Sequence, residues 1–121
     1  MDNQVVWVDI PVKDLERSIK FYSVVLGSEV KKKEFSEMTI GLLPGAEECV
    51  SGCLVVSDEN SPSQNGPLIY LKCEGRLEEA EAAIESNGGK VLTPKQSIGE
   101  YGFRTVMLDS EGNRVALHSY K

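Results

Sequence analysis

Few side chains in this 121-residue chain can do chemistry, and the two best suited lie near opposite ends. Asp9 stands between Trp7 and Pro11, and His118, the sole histidine, is close to the C-terminus. A carboxylate and an imidazole are the groups that most often move protons near neutral pH. Asp9 lies in QVVWVDIPV (4–12), where Val6, Val8, Ile10 and Val12 alternate with Trp7, Asp9 and Pro11. That period of two is a half-buried strand, with Asp9 on the face opposite the valines. The same alternation in RVALHSY puts His118 on one face with Ala116. A carboxylate on an inward face is costly unless it is paired or wet. Two readings of Asp9 therefore stand: an ion pair with Lys72 or Arg104, or a functional carboxylate, either an anchor for a cationic ligand group or a general base. His118 is either a pocket acid, base or donor, or an ordinary satisfied side chain, and no nucleophile motif adjoins it.

Other residues could line a pocket with them. Trp7 reads as a stacking wall for a planar ligand or as bulk filling a small barrel; its N–H needs a partner in either case. Tyr70 is a similar case whose hydroxyl could orient a ligand. QSIGEYGF (96–103) carries Glu100 and Tyr101 between Gly99 and Gly102, a composition that fits a pivoting lid or a plain connection. Cys49, Cys53 and Cys73 include no C-x-x-C pair. They read as small core residues in a reduced, cytoplasmic protein, with Cys49 and Cys53 sharing a strand face and Cys53 beside Val55 on the pocket side.

The elements that position these groups follow from periodicity. After the first strand, Asp14 fits a helix N-cap, and Leu15, Ile19, Tyr22 and Leu26 form one apolar stripe, with a Glu16–Lys20 pair alongside. Gly27 ends that helix. Strands are expected over 29–35, 38–43 and 50–57, the last two separated by the PGAEE turn (44–48). DENSPSQNG (58–66) is the linker-like stretch. The plan then repeats: a strand at 67–74, a helix at 76–86 closed by Asn87-Gly88-Gly89, a short strand KVL at 90–92, and a strand at 103–109. A tight turn with Gly112 at positive φ leads to the last strand. Both halves read β-α-β-β-β, module 1 at about 4–57 and module 2 at about 67–120, within one domain spanning 1–121. Such a repeat implies that neither half buries its sheet alone.

Composition excludes several functions. The formal net charge is −6, which disfavours nucleic-acid binding, and the Lys31-Lys32-Lys33 cluster reads as a strand edge protected from pairing. No apolar run is long enough for a membrane span, and MDNQVVW is no secretory signal. The acidic body weakly favours cationic ligands.

The doubled β-α-β-β-β plan, with IPVKDLERSIKFYSVVLG early and LDSEGNRVALHS late, resembles the vicinal oxygen chelate superfamily of glyoxalase I, bleomycin-resistance proteins and extradiol dioxygenases. GPLIYLKCEGRLEEA and PKQSIGEYGF resemble its branch of small lactoylglutathione-lyase-related proteins. The resemblance covers essentially the whole chain. It implies an α+β fold in which the tandem modules form an open, eight-stranded, barrel-like sheet around a pocket, often shared across a homodimer.

In metal-using members, His, Glu or Gln ligands come from the first and last strand of each module. The matching positions here are Trp7, Val55, Leu68 and Ala116, none of which ligates a metal through its side chain. A displaced site using Asp9 and His118 with Cys53 or Glu100 is the variant that stays open. The expectation is therefore a metal-free, cofactor-free module that sequesters a small, partly aromatic or cationic molecule. The alternative is a metal-dependent lyase, isomerase or dioxygenase acting on vicinal oxygens.

Overall fold

The computed structural model describes residues 3–35, 37–46 and 48–121. Met1, Asp2, Ser36 and Glu47 of the expected 44–48 turn lie outside the described residues. Strand β1 (Trp7–Pro11), helix α1 (Leu15–Leu26), β2 (Lys31–Glu34), β3 (Thr39–Leu42) and β4 (Ser51–Val55) come first. Strand β5 (Ile69–Lys72), helix α2 (Leu77–Ser86), β6 (Lys90–Ser97), β7 (Phe103–Leu108) and β8 (Arg114–Ser119) repeat the order. The fold is α+β, two tandem β-α-β-β-β units. The eight strands form two four-stranded sheets, β1-β4-β3-β2 and β5-β8-β7-β6, and no ladder joins them among the described residues. The expected eight-stranded sheet is thus present as two halves.

Each helix starts and stops for a local reason. The Asp14 carboxylate accepts from the Arg17 N–H at 3.0 Å, and Gly27, at φ 71°, turns its N–H back to the Ser23 and Val24 carbonyls. Ser18, Phe21, Tyr22 and Val25 form the buried stripe of α1. Leu15, Ile19 and Leu26 flank it half-buried. Glu16 pairs with Lys32 at 3.2 Å, across to β2, rather than with Lys20. On α2 the buried residues are Leu77, Ala80 and Ile84, as the spacing predicts.

The core lies between the helices and the helix-side strand faces. Ile10 and Leu54 of one sheet, Val115 and Leu117 of the other, and Phe21, Tyr22 and Ile84 belong to one buried cluster. Helices α1 and α2 pack on each other. Burying one such side chain is worth about 1.5–3 kcal/mol, so sharing the cluster stabilises both units.

The LDSEGN turn joins the halves. Tyr22 Oη donates to Asp109 Oδ2 at 2.6 Å, and Asp109 Oδ1 accepts from the N–H groups of Glu111 (2.8 Å) and Asn113 (2.9 Å). Glu111 accepts from the Lys13 and Asp14 N–H groups at 2.9 Å each and from Arg17 Nε at 2.7 Å. Asn113 Nδ2 reaches the Pro11 carbonyl at 2.7 Å. Burial pushes the Glu111 carboxyl up, but these donors outweigh it and hold the group down at about 2.

Three expectations are corrected. Val6 lies ahead of β1 and is exposed, so it does not join the helix-packed face. The short strand at 90–92 is instead the eight-residue β6, which passes through Pro94 with register shifts beside it. As an edge strand it tolerates the missing N–H. Cys49 is exposed in the turn before β4, its thiol donating to the Gly45 carbonyl at 3.3 Å, so it neither joins the core nor shares a strand face with Cys53. The 96–103 segment forms a corner with a 3-10 turn at Gly99–Tyr101, the Ile98 N–H bound to the Gly102 carbonyl at 2.8 Å. A Cβ on Gly102 would stand 2.5 Å from the Ser119 carbonyl oxygen, and φ there is 98°.

Candidate functional site

The strand faces turned away from the helices carry the polar side chains. On the first sheet, register opposes Trp7 to Ser51, Asp9 to Cys53 and Pro11 to Val55. Trp7 Nε1 donates to Asp9 Oδ1 at 3.0 Å, and Cys53 Sγ donates to the same oxygen at 3.4 Å. Asp9 is therefore held by an indole and a thiol, and pairs with neither Lys72 nor Arg104, which corrects the ion-pair reading. Burial, then the Asp9 carboxylate, push the Cys53 thiol up to about 11. Val55 and Cys53 are buried with Ile40 in a small cluster of their own.

On the second sheet, Tyr70 lies opposite Ala116 and Lys72 opposite His118, which in turn lies opposite Arg104. Arg104 Nη1 donates to Tyr70 Oη at 2.6 Å and its Nε to Gln96 Oε1 at 2.8 Å. His118 Nε2 meets the Tyr101 carbonyl at 2.6 Å. A carbonyl only accepts, so Nε2 carries the proton and Nδ1 is the free position. The imidazole stacks edge-on to Tyr120, centroids 4.7 Å apart. Ala116 is fully buried in this row, Glu100 is exposed, and Tyr101 contributes its carbonyl while its ring stays exposed.

The expected set is thus split. Trp7, Asp9, Cys53 and Val55 gather on one sheet; Tyr70, Ala116 and His118 gather on the other, with Leu68 just ahead of β5. Cavities follow a different line. A crevice of about 860 Å³ opens between the helix-side residues Val8 and Ile10 and those of β5, Ile69 and Leu71. Of the expected residues it takes in Leu68 and Tyr70. A smaller cavity of about 440 Å³ lies among Tyr70, Lys72, Glu74, His118 and Tyr120. The larger space is mainly apolar and bordered by neither polar constellation in full.

Register also revises one metal position. Trp7 faces Ser51, and Leu68 precedes the Ile69–Val115 pair. Setting Trp7 on Leu68 makes Cys53, not Val55, the counterpart of Ala116. Even so, one thiol among Trp7, Leu68 and Ala116 is not a ligand set. No group of three His, Cys, Asp or Glu side chains that could hold a metal ion is present among the described residues. Asp9 and His118 lie on different sheets, so within this chain the displaced set is not assembled, and the donors do not fit a divalent ion.

Sequence reasoning read LDSEGN as a turn and as part of the family resemblance. Its clamp role carried no residue-type signal, because Asp, Glu and Asn are ordinarily exposed, and the burial of Asp109, Glu111 and Asn113 is seen only in the structure. The Lys72–His118–Arg104 alignment had no signal either, because it depends on the register of three strands.

Two β-α-β-β-β units with a shared helical core, each sheet keeping one strand face clear of the helices, define a paired-module α+β protein. The sequence profile of the Glyoxalase/Bleomycin resistance protein/Dioxygenase superfamily matches residues 4–117, and the chain belongs to that superfamily. Solved structures share the fold. A glyoxalase/bleomycin resistance protein from Albidiferax ferrireducens T118 superposes with a TM-score of 0.73 at 18% identity, covering 97% of this chain and 98% of the other. The genomically encoded fosfomycin resistance protein FosX from Listeria monocytogenes gives 0.67 at 17% identity, covering 98% and 94%. A glyoxalase I mutant from Zea mays gives 0.68 at 25% identity, over 94% of this chain but 46% of that one. No curated protein matches the sequence.

Proposed function

We propose that the protein is a cytoplasmic homodimer that binds and sequesters a small, partly aromatic or cationic molecule without the metal set of its enzymatic relatives. The observation that carries this reading is the Trp7–Asp9–Cys53 constellation. Two donors immobilise one carboxylate oxygen beside an indole face that is 41% exposed. A fixed carboxylate next to an aromatic wall favours an organic cation. Thiol and indole leave the charge of Asp9 uncompensated among the described residues.

The homodimer is supported by the sheet edges. The edge strands β2 and β6 carry Lys31–Lys33 and Pro94, whereas the crevice beside the edge strands β1 and β5 is lined by the apolar Val8, Ile10, Ile69 and Leu71. Pairing two copies brings the face of one sheet toward the complementary face of another, and makes one pocket from the split set. Leu68 then serves as pocket wall together with Trp7 and Tyr70, and the buried Ala116 backs Tyr70 across the β5–β8 register.

Trp7 is the only tryptophan, so its fluorescence reports on this site. Titration with benzyltrimethylammonium is expected to change it saturably, with Asp9→Asn weakening the response about tenfold and a neutral isostere binding no better than that variant. Equal response to cation and isostere would overturn the cationic reading. Elemental analysis of protein purified without chelator is expected to find no stoichiometric divalent ion, and metal uptake on titration would return the enzyme reading. Sedimentation equilibrium is expected to give twice the chain mass.

A further inference from the structure

The ladder row across β5, β8, β7 and β6 reads Lys72, His118, Arg104 and Gln96. Three nitrogen bases occupy neighbouring positions of one face, in a chain with 19 acidic and 13 basic residues. Lys72 and Arg104 stand on the two sides of His118 in this row, so two formal positive charges lie on one face with a single titratable ring between them. Neither Lys72 nor Arg104 forms an ion pair among the described residues. The partners of Arg104 are a phenol and an amide oxygen, both neutral; they aim the guanidinium without cancelling its charge. His118 is likewise fixed by a neutral carbonyl through Nε2–H, and its Nδ1 donates to an anion only when the ring is the imidazolium. Tyr70 and Tyr120 flank the row, and the 440 Å³ cavity opens between them. Glu74, the one acid on that cavity, accepts the Tyr120 N–H at 2.7 Å. A pre-aimed guanidinium with an ammonium beside it, and an imidazole that adds a donor in its protonated form, matches planar or tetrahedral oxyanions.

We propose that the Lys72–His118–Arg104 row is an anion-binding station, taking the carboxylate or phosphoryl oxygens of a ligand whose apolar part rests on Tyr70 and Tyr120. This rests on the reading that the strand faces hold the ligand, and it adds an anionic group to that ligand. With Asp9 on the other face, the ligand carries both signs of charge.

The single histidine makes the test direct, since one Hε1 proton line reports the row. The full chain is titrated with inorganic phosphate, phenylphosphonate and benzoate at fixed pH and ionic strength. A saturable shift of the His118 line is expected, with the aromatic anions tighter than phosphate. Lys72→Gln and Arg104→Gln are each expected to weaken it about tenfold, while Lys90→Gln leaves it unchanged. Tighter phenylphosphonate identifies a phosphoryl group, and tighter benzoate a carboxylate. Lys72 is exposed and makes no contact that folding needs, so its variant remains informative if Arg104→Gln misfolds. A shift that is linear and matched by chloride, or one untouched by both substitutions, overturns the proposal. So does a dimer weakened by either substitution with no saturable anion, because the row is then a subunit contact. Trp7 fluorescence with benzyltrimethylammonium separates the two readings. Its survival beside a failed anion titration sinks only the row; its loss beside a saturable anion sinks only the cationic wall.

Discussion

Asp9 and Glu111 show how differently two carboxylates are used. Asp9 keeps one oxygen bound and its charge without an ion-pair partner among the described residues, on an exposed strand face. Glu111 is walled in by Arg17, two backbone donors and Ser110. Its folded value of about 2 lies below the ordinary 4.5, so it stabilises the fold above the higher value and loses that contribution as pH falls toward the lower. Allowing for the half-exposed Arg17, the contribution is about 1–2 kcal/mol. Glu111→Gln is expected to lower stability by that amount at pH 7 and to flatten the acid limb of a urea-unfolding series between pH 5 and 2. The thiols divide as sharply. Burial first, with Asp9 for Cys53, lifts Cys53 and Cys73 to about 11 each, whereas Cys49 is exposed. Ellman's reagent at pH 7.5 is expected to titrate one thiol per native chain quickly and the other two only after unfolding.

At the scale of elements, the corner after β6 places the polar row. The Tyr101 carbonyl reaches His118 only because Gly102 brings that turn against Ser119. Gly102→Ala meets both a positive φ and the Ser119 carbonyl, and is expected to cost about 1–3 kcal/mol by chemical denaturation. The His118 Hε1 line should move in the same variant without any ligand. Helix α1 and the alternation of β1 and β8 were legible from residue types alone, since caps and period depend on local sequence. The extent of β6 was not. Pro94 argues for ending the strand, and only its edge position makes the missing N–H harmless.

Over the whole molecule, the halves are held together by the shared core and by the LDSEGN clamp, in which Tyr22 of α1 donates to Asp109. Tyr22→Phe removes that donor from a buried carboxylate and is expected to cost about 1–3 kcal/mol, with the two halves still unfolding in one transition by calorimetry. Loss of cooperativity would mean that the apolar core alone does not couple them. Residue order by itself determined the doubled plan, the helix limits, the shared strand face of Trp7 and Asp9 and that of Ala116 and His118, and the poverty of metal ligands, because each follows from period, caps and side-chain chemistry. Tertiary structure decided that Asp9 is held by Trp7 and Cys53, that Lys72, His118 and Arg104 share a row, and that the expected set is divided between two sheets. Those outcomes depend on strand register and sheet pairing, and each joins residues that sequence separation leaves unrelated.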